Sequence, residues 1–340
     1  MEAVMKSDFL LSRRNFLSRC GALAATTMTW GCCLHPFSTF GKGIPAGFRP
    51  LFDGKSLRGW HRVPRLGVPS KATEAVNSPA SVEAVIKKSG SEAAVALGRW
   101  EVRDGVLIGG QQTRRIKKPE TGEGYGLGNF LMTDQTFGDF ELLIDVHPDW
   151  PCDTGIYVRS TELGQGFQVL LDHRGDDTGG IGGGIGFIYL RGVGGISVNP
   201  YNFRWEVGPD GLPKDVKLIP RSADKVAGSV ATAPLDSLIY AASGDQFRKA
   251  WRMNDWNTFR IRVVGEVPRI TTWINDVRIC ECDTAALKVE GYIPNDVKKL
   301  LGAGGHIGLE VHDGPPWRWG VDKFSRWRNI YIKELTGSTK

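Results

Sequence analysis

The sequence predicts an all-β protein, an antiparallel β-sandwich or jelly roll, on two observations. Short segments alternate apolar and polar residues, as a strand with one buried face does. Turn-forming residues separate these segments, and the chain contains 44 glycines and 18 prolines among its 340 residues. This distribution favours many turns between short strands over long helices. Many short strands joined by turns are typical of an antiparallel sandwich or a jelly roll.

The segments with strand character fall into two groups. The first group lies between residues 99 and 190 and comprises RWEVRDGVLIGG, GNFLMT, FGDFELLIDVH, GIYVRS, GFQVLLDH and GFIYL. The second group closes the chain and comprises WNTFRIRVVG, RITTWINDVRICECD, HIGLEVHDG and SRWRNIYIKEL. We expect both groups to form a single jelly-roll domain over residues 48–335.

Two segments interrupt the strand pattern. Residues 62–97 are rich in Ala, Glu, Ser and Lys and poor in aromatic residues, which indicates a short helical insert or lid. Residues 191–250 are rich in Pro, Gly and polar residues and show little periodicity. We therefore expect a long surface excursion over this second segment.

Residues 1–40 carry the pattern of an export signal. The paired arginines Arg13 and Arg14 precede a weakly apolar stretch, which resembles a twin-arginine signal for proteins exported in folded form. The stretch is too short and too polar to span a bilayer, and no later segment approaches transmembrane length. We therefore expect a periplasmic or secreted protein. Cys32 could instead carry a lipid anchor, but the residues before it fit that signal poorly.

Charge and cysteine content exclude several classes of protein. The formal net charge of +6 is mild, and its basic residues are interspersed with acidic ones, which does not favour nucleic-acid binding. Cys152, Cys280 and Cys282 would remain after removal of the leader, and they lack the C-x-x-C spacing of zinc or redox sites. We interpret them as small buried residues, although Cys152 could pair with one of the other two.

Polar side chains gather on one face of several predicted strands. In HIGLEVH the apolar residues alternate with His306, Glu310 and His312. The same alternation in other strands presents a further polar set, namely Asp145, His147, Tyr157, Arg159, Gln168 and Asp172. Such side chains bind sugar hydroxyls and transfer protons, whereas plain solvated strands favour Lys, Glu, Thr and Ser. The composition indicates a polar groove on a sheet, with ordinary solvated strands as the alternative.

Short motifs spread over nearly the whole mature chain carry a family resemblance. They are LFDGKSLRGW at 51–60, WEVRDGVL at 100–107, GDFEL at 138–142, DTGIYVR at 153–159, WNTFRI at 256–261, WIND at 273–276, GHIGLEVH at 305–312 and WRNI at 327–330. In this order they resemble the 3-keto-disaccharide hydrolase family. The resemblance implies a concanavalin A-like jelly roll, a fold whose sheet commonly receives carbohydrate. This chain departs from the family where it has Gln168 and Leu170 in place of Glu-x-Gln, and Glu310 in place of Gln.

The resemblance also implies a secreted enzyme that acts on glycosides already oxidised at C3. A C3 ketone acidifies the hydrogen at C2, so a base can remove it, the enolate can expel the C1 oxygen, and water can then add. The expected catalytic residues are Arg159, for the enolate oxygen, and Asp145, Asp172, Glu310 and His312, for proton transfer. The expected substrate-binding residues are Tyr157, Gln168, His147 and His306.

Two other functions stay open at this stage. A lectin-like module would bind a polysaccharide on the same fold without cleaving it, since fold does not decide function. A conventional glycosidase with paired carboxylates is the weaker alternative, because no strand bears the E-x-D-x-x-E arrangement. We expect no cofactor, and both the E-x-H pattern ending at His312 and the acidic loop at 172–177 are weak metal signals.

Overall fold

The strands indicated by the sequence form two packed antiparallel sheets in a computed structural model of the chain. The structure describes residues 43–78, 98–112, 116–117, 124–173, 183–221 and 231–335. The leader predicted over residues 1–40, with Cys32, lies outside the described residues, as does the later part of the predicted insert, 79–97. The described strands and helices all belong to one unit, residues 42–340.

Nine strands form the first sheet, with strands numbered in chain order. They are β1 (Arg49–Pro50), β3 (Arg99–Arg103), β4 (Val106–Gly110), β8 (Phe140–Pro148), β16 (Leu238–Ala241), β17 (Asn257–Val264), β18 (Arg269–Ile274), β19 (Val277–Asp283) and β21 (Phe324–Glu334). Their spatial order is β16-β19-β18-β17-β8-β21-β4-β3, and β1 pairs with β21. Every pairing in this sheet is antiparallel.

Eight strands form the second sheet. They are β2 (Trp60–Pro64), β7 (Asn129–Thr133), β9 (Asp153–Ser160), β10 (Gly166–Asp172), β11 (Gly184–Arg191), β12 (Ile196–Val198), β15 (Ala231–Thr232) and β20 (His306–Val311). Their order is β15-β12-β11-β10-β9-β20-β7-β2, and only the short β12–β15 pair at the edge is parallel among the described pairings of this sheet. This arrangement confirms the predicted all-β sandwich.

Two hairpins, four α-helices and two short 3₁₀ helices, Leu235–Ser237 and Thr284–Ala286, complete the described structure. The hairpins are β5 (Ile116–Lys117) with β6 (Gly124–Tyr125), and β13 (Tyr201–Val207) with β14 (Pro213–Pro220). The helices are α1 (Ala72–Asn77), α2 (Gly244–Ala250), α3 (Pro294–Leu301) and α4 (Pro316–Trp319). The helix expected in the insert is α1, which packs against α3 through a hydrogen bond of 2.7 Å from Thr73 Oγ1 to Asp296 Oδ2. No helix among the described residues is long and apolar enough to cross a membrane.

The core lies between the two sheets and follows the alternation of the strands. Leu142, Ile144 and Val146 of β8 are fully buried, as the period of two predicts. The sheets approach closely at Gly109 of β4, where an added Cβ would lie 2.9 Å from the Val311 side chain of β20. Any larger residue at this position would therefore force the two sheets apart.

The segment predicted as a surface excursion, residues 191–250, is only partly on the surface. It contributes β12 and β15 to the second sheet and β16 to the first sheet. It also forms the β13–β14 hairpin and α2, which begins with a capping box at Ser243. Phe203 of the hairpin and Phe247 of α2 are fully buried, with ring centroids 5.1 Å apart. The alternation of Tyr201, Phe203 and Trp205 marks the strand, but the surrounding prolines and glycines obscure it.

The three cysteines of the domain are buried free thiols. Burial raises the pKa of Cys152, Cys280 and Cys282, so each stays protonated and unreactive. This confirms their interpretation as small buried residues and excludes the alternative pairing with Cys152.

An aromatic cluster surrounds His173, which directly follows β10. The His173 ring centroid lies 5.3 Å from that of Trp150 and 5.2 Å from that of Trp205. Its Nδ1 donates to the Cys152 carbonyl oxygen at 3.0 Å. Burial lowers the pKa of His173 to about 4, so the ring is neutral at pH 7.

Acidification should destabilise the protein through His173. An unfolded histidine titrates near pH 6.5, so between pH 6.5 and pH 4 the unfolded chain binds a proton that the folded chain does not. The titration of His173 alone should therefore lower the free energy of unfolding by about 3 kcal/mol as the pH falls from 6.5 to 4. His173→Phe keeps an aromatic ring without the titration, and urea unfolding at pH 7 and pH 4 should show a smaller loss in the variant. Equal losses in both proteins would contradict this assignment.

Candidate active site

A buried polar cluster lies on the outer face of the second sheet, the face turned away from the first sheet. Glu310 projects from β20, Tyr157 from β9 and Gln168 from β10, and these strands are neighbours in the order β10-β9-β20. Side chains on the same face of adjacent strands meet, so the three polar groups converge. All three side chains are at most 4% exposed.

Three donors bind the Glu310 carboxylate. Arg65 Nε donates to Oε1 at 2.6 Å and Gln168 Nε2 donates to Oε2 at 2.9 Å, while the Tyr157 hydroxyl lies 3.2 Å from Oε1. Gly155 allows this arrangement, because an added Cβ there would lie 2.4 Å from Gln168 Nε2. Burial raises the pKa of Tyr157 and the charge of Glu310 raises it further, so the hydroxyl stays a donor.

Arg65 connects Glu310 to the residues that follow β20. Its Nη1 donates to Asp313 Oδ1 at 2.6 Å, and its Nη2 lies 2.7 Å from His312 Nε2. Burial lowers the pKa of Arg65, but the charges of Glu310 and Asp313 outweigh this effect and raise it above its usual value. The guanidinium therefore carries a fixed positive charge inside the cluster.

Hydrogen bonds determine the form of the His312 imidazole. Nδ1 contacts the Asp313 carbonyl oxygen, which can only accept, so Nδ1 carries the proton. Nε2 faces Arg65 Nη2 at 2.7 Å and Arg318 Nη1 at 3.2 Å, and guanidinium groups can only donate. Asp153 Oδ2 lies 3.6 Å from the same nitrogen. These contacts favour the neutral imidazole with its proton on Nδ1, between two cations and with a carboxylate nearby.

Solvent reaches the cluster from the side of the two guanidinium groups. The side chains of Arg65 and Arg318 are 19% and 25% exposed, and that of Asp313 is 20% exposed, whereas Glu310 is fully buried. A ligand that enters from solvent therefore meets the cations and His312 before it meets Glu310.

The structure brings together four of the predicted site residues, namely Tyr157, Gln168, Glu310 and His312. Asp172 borders the cluster, because it ends β10 directly opposite Asp153 of β9. His306 shares the face of Glu310 but begins β20, about 14 Å along the strand at 3.4 Å per residue. It contacts the Thr133 carbonyl oxygen instead.

Arg159 lies elsewhere, contrary to the prediction. A φ of +53° at Arg159 interrupts the regular alternation of β9. Its guanidinium donates to the carbonyl oxygens of Ala303 and Gly265 and lies 3.7 Å from Asp139. Regular alternation would place Arg159 on the same face as Tyr157, so this prediction was wrong. Arg159 instead connects the loops that contain Ala303 and Gly265, away from Glu310.

Asp145 and His147 were also assigned to the wrong surroundings, because both lie on β8 in the first sheet. Asp145 accepts hydrogen bonds from Thr258 Oγ1 at 2.6 Å and Asn329 Nδ2 at 2.8 Å. The His147 ring packs against Trp256, with centroids 5.5 Å apart, and burial with the charge of Arg326 lowers its pKa. The alternation identifies the polar face of a strand, but it does not identify the sheet that the strand joins.

The residues that sequence reasoning missed lie at strand ends and in loops. Arg65 follows β2 inside the predicted insert, and Asp313 and Arg318 follow β20. Their only sequence signal is proximity to the strands, since loops have no periodicity. Asp153 had a clearer signal, because it opens the DTGIYVR motif.

Two packed, largely antiparallel sheets with a polar cluster on one outer face define a concanavalin-like jelly roll. A family model described as the 3-keto-alpha-glucoside-1,2-lyase-like domain matches residues 47–333. The chain belongs to this family, which confirms the resemblance found in the sequence.

The structure is similar to several solved structures at low identity. A Parabacteroides distasonis protein described as a candidate glycosyl hydrolase is 13% identical, with 85% of this chain and 94% of that chain covered and a TM-score of 0.42. Carbohydrate-binding module CBM66 from Bacillus subtilis is 10% identical, with 66% and 92% covered and a TM-score of 0.31. Bacillus licheniformis β-glucanase is 8% identical, with 86% and 94% covered and a TM-score of 0.33. Comparison with curated proteins gives no significant match.

Arg159 should support stability through its buried hydrogen bonds. Arg159→Leu removes the donors to two carbonyl oxygens, so we expect the free energy of unfolding to fall by about 2–4 kcal/mol in urea. Arg262→Leu is the matched control, because Arg262 is an exposed arginine of β17 that lies 3.9 Å from Glu141, and it should lose less than about 1 kcal/mol. Small and equal losses in both variants would show that Arg159 is not a structural anchor.

Proposed function

We propose that the protein cleaves 3-keto-glycosides by elimination, with His312 as the base and Arg65 and Arg318 as the cations at the ketone oxygen. Membership of the family supports the substrate class. The observation that carries the residue roles is the position of His312 Nε2, which lies 2.7 Å and 3.2 Å from the two guanidinium groups. The arginine pair in the leader supports the further proposal that the enzyme acts outside the cytoplasm.

The first step removes the hydrogen at C2 of the oxidised sugar. His312 Nε2 takes the proton, and the electron pair of the C2–H bond moves into an enolate over C2, C3 and the C3 oxygen. The C3 oxygen is two bonds from C2, so cations close to the base nitrogen can meet the developing negative charge. Arg65 and Arg318 provide such charge without a proton transfer of their own.

The second step breaks the glycosidic bond. The enolate reforms the C3 ketone, a double bond forms between C1 and C2, and the C1 oxygen leaves with the electron pair of its bond. C1 is bonded to C2, so the protonated His312 can return its proton to the leaving oxygen. Water then adds across C1 and C2, with hydroxyl at C1 and hydrogen at C2, and the net result is hydrolysis.

The carboxylates support His312 rather than replace it. Asp153 Oδ2 lies 3.6 Å from Nε2 and Asp313 Oδ1 lies 3.4 Å from Nδ1, so both stabilise the imidazolium that forms in the first step. Glu310 is fully buried and bound by three donors. We therefore assign it to the positioning of Arg65 instead of to proton transfer.

Product analysis tests the proposed reaction directly. Incubation with 3-keto-lactose, 3-keto-trehalose and the parent disaccharides should release glucose only from the oxidised sugars. In D₂O the keto-sugar product should carry deuterium at C2 by NMR, above the exchange measured without enzyme. Cleavage of unoxidised sugars at equal rates, or a product without excess deuterium, would exclude elimination, and binding without turnover would favour a lectin.

Substitution of the base should remove most of the activity. We expect His312→Gln to lower kcat on 3-keto-lactose by about 10²–10⁴-fold with little change in KM, because general-base catalysis has this magnitude. His147→Gln is the matched control, since His147 is a partly buried histidine on the other sheet, and it should keep its activity. A His312→Gln enzyme that folds normally and retains kcat would remove His312 from the mechanism.

A further inference from the structure

A five-residue loop, residues 161–165, covers part of the outer face of the second sheet, and we call it the strap. It joins β9 to β10, and its Leu163 and Gln165 are 7% and 3% exposed. Gly164 packs directly on Phe130 of β7, since an added Cβ would lie 2.5 Å from that ring. The Phe130 ring in turn contacts Tyr157 of the candidate site, with centroids 4.8 Å apart.

Arg191 connects the strap to the segment that carries Arg65. Its Nη1 donates to the carbonyl oxygens of Leu163 at 2.9 Å and Gly164 at 2.8 Å. Its Nη2 donates to the carbonyl oxygen of Leu66, the residue after Arg65, at 2.6 Å. The strap and the cation-bearing segment therefore share one buried anchor.

Two histidines hold the outer side of the strap through Glu162. Glu162 Oε2 lies 3.0 Å from His61 Nε2 of β2, and Glu162 Oε1 lies 3.2 Å from His306 Nε2 of β20. The two imidazole rings lie edge to face, with centroids 5.8 Å apart. One carboxylate thus bridges two imidazoles on neighbouring parts of the sheet.

The remaining nitrogens of both rings also face acceptors. His61 Nδ1 lies 2.8 Å from Asp134 Oδ1, and His306 Nδ1 lies 2.6 Å from the Thr133 carbonyl oxygen. A neutral imidazole has only one N–H. The lone pair of its other nitrogen would therefore face an oxygen lone pair at one of the two contacts. Only the imidazolium form, with two N–H groups, satisfies both contacts of each ring.

We propose that His61, His306 and Glu162 form a proton-controlled latch, which holds the strap against the sheet when the His61 ring is protonated and releases it when that ring is neutral. Among the described residues, the charged or titratable groups in contact with the rings are Asp134 after β7, Glu162 in the strap, and the rings themselves. The described residues contain no group of three or more His, Cys, Asp or Glu side chains that could hold a metal ion.

The direction of the pH effect follows from His61. Burial lowers its pKa, but the hydrogen bonds and charges of Asp134 and Glu162 outweigh burial and raise the pKa above 6.5. The latch is therefore closed below about pH 6.5 and opens as the pH rises through the raised pKa. The latch itself does not depend on the proposed function; only its effect on Arg65, through Arg191, rests on that function.

Hydrogen exchange of the strap amides tests the latch without any substrate. Mass spectrometry measures the exchange rates of the strap amides at pH 5.5 and pH 8.5. Each rate is divided into the rate of the same amide in an unfolded peptide at the same pH, because amide exchange itself depends on pH. We expect strap protection to fall about tenfold or more at pH 8.5, the size expected for loss of one charge-assisted hydrogen bond. Protection of β17 should not change, and equal strap protection at both pH values would overturn the proposal.

Variants separate the latch from general pH effects. In the double variant His61→Gln with His306→Gln, each amide can donate to Glu162 at any pH, so strap protection should no longer depend on pH. Glu162→Gln, which keeps both histidines, should also reduce the pH dependence, whereas His147→Gln should retain it fully. Full pH dependence of strap protection in both the double histidine variant and Glu162→Gln would overturn the proposal. Loss of strap protection at pH 5.5 on addition of EDTA would also overturn it, because it would indicate a metal ion instead of a proton.

Discussion

The buried carboxylate of Glu310 is the constraint on which the candidate site depends. A fully buried anion is costly unless charged and polar donors compensate it. Here the donors come from three separate places in the chain, namely Arg65 after β2, Tyr157 on β9 and Gln168 on β10. Because all of them must reach one carboxylate, the relative register of β10, β9 and β20 and the path of the chain after β2 are fixed together. Gly155 belongs to the same constraint, since it leaves the space that Gln168 occupies.

Charges of opposite sign then alternate outward from this carboxylate. Arg65 pairs with Glu310 and Asp313, and His312 sits between Arg65 and Arg318 with Asp153 within 3.6 Å. The two cations oppose protonation of His312 before substrate binds, and the carboxylates stabilise the imidazolium once a proton arrives. In the proposed mechanism His312 needs both properties, because it accepts a proton in the first step and returns it in the second.

The sequence predicts the fold and half of the site through one rule, the alternation of strand side chains. The rule places Tyr157, Gln168 and Glu310 on a common face because β9, β10 and β20 are regular there. It fails at Arg159, where a left-handed residue interrupts the period. The rule does not apply to loops, so only the folded structure shows that Arg65 belongs to the site. Nor does the rule identify which of the two sheets a strand joins. Local periodicity is encoded in neighbouring residues, whereas strand partnership and loop paths depend on distant ones.

His306, which begins β20, and His312, which directly follows it, show that surroundings, not residue type, decide the role of an imidazole. His312 Nε2 faces guanidinium donors, so its contacts are satisfied by the neutral ring. His306 Nε2 and Nδ1 both face oxygen acceptors, so its contacts are satisfied by the charged ring. Residues 306–312 therefore carry an imidazole that faces oxygen acceptors at one end and an imidazole that faces guanidinium groups at the other. Because opposite partners surround the two rings, closure of the proposed latch does not require protonation of His312.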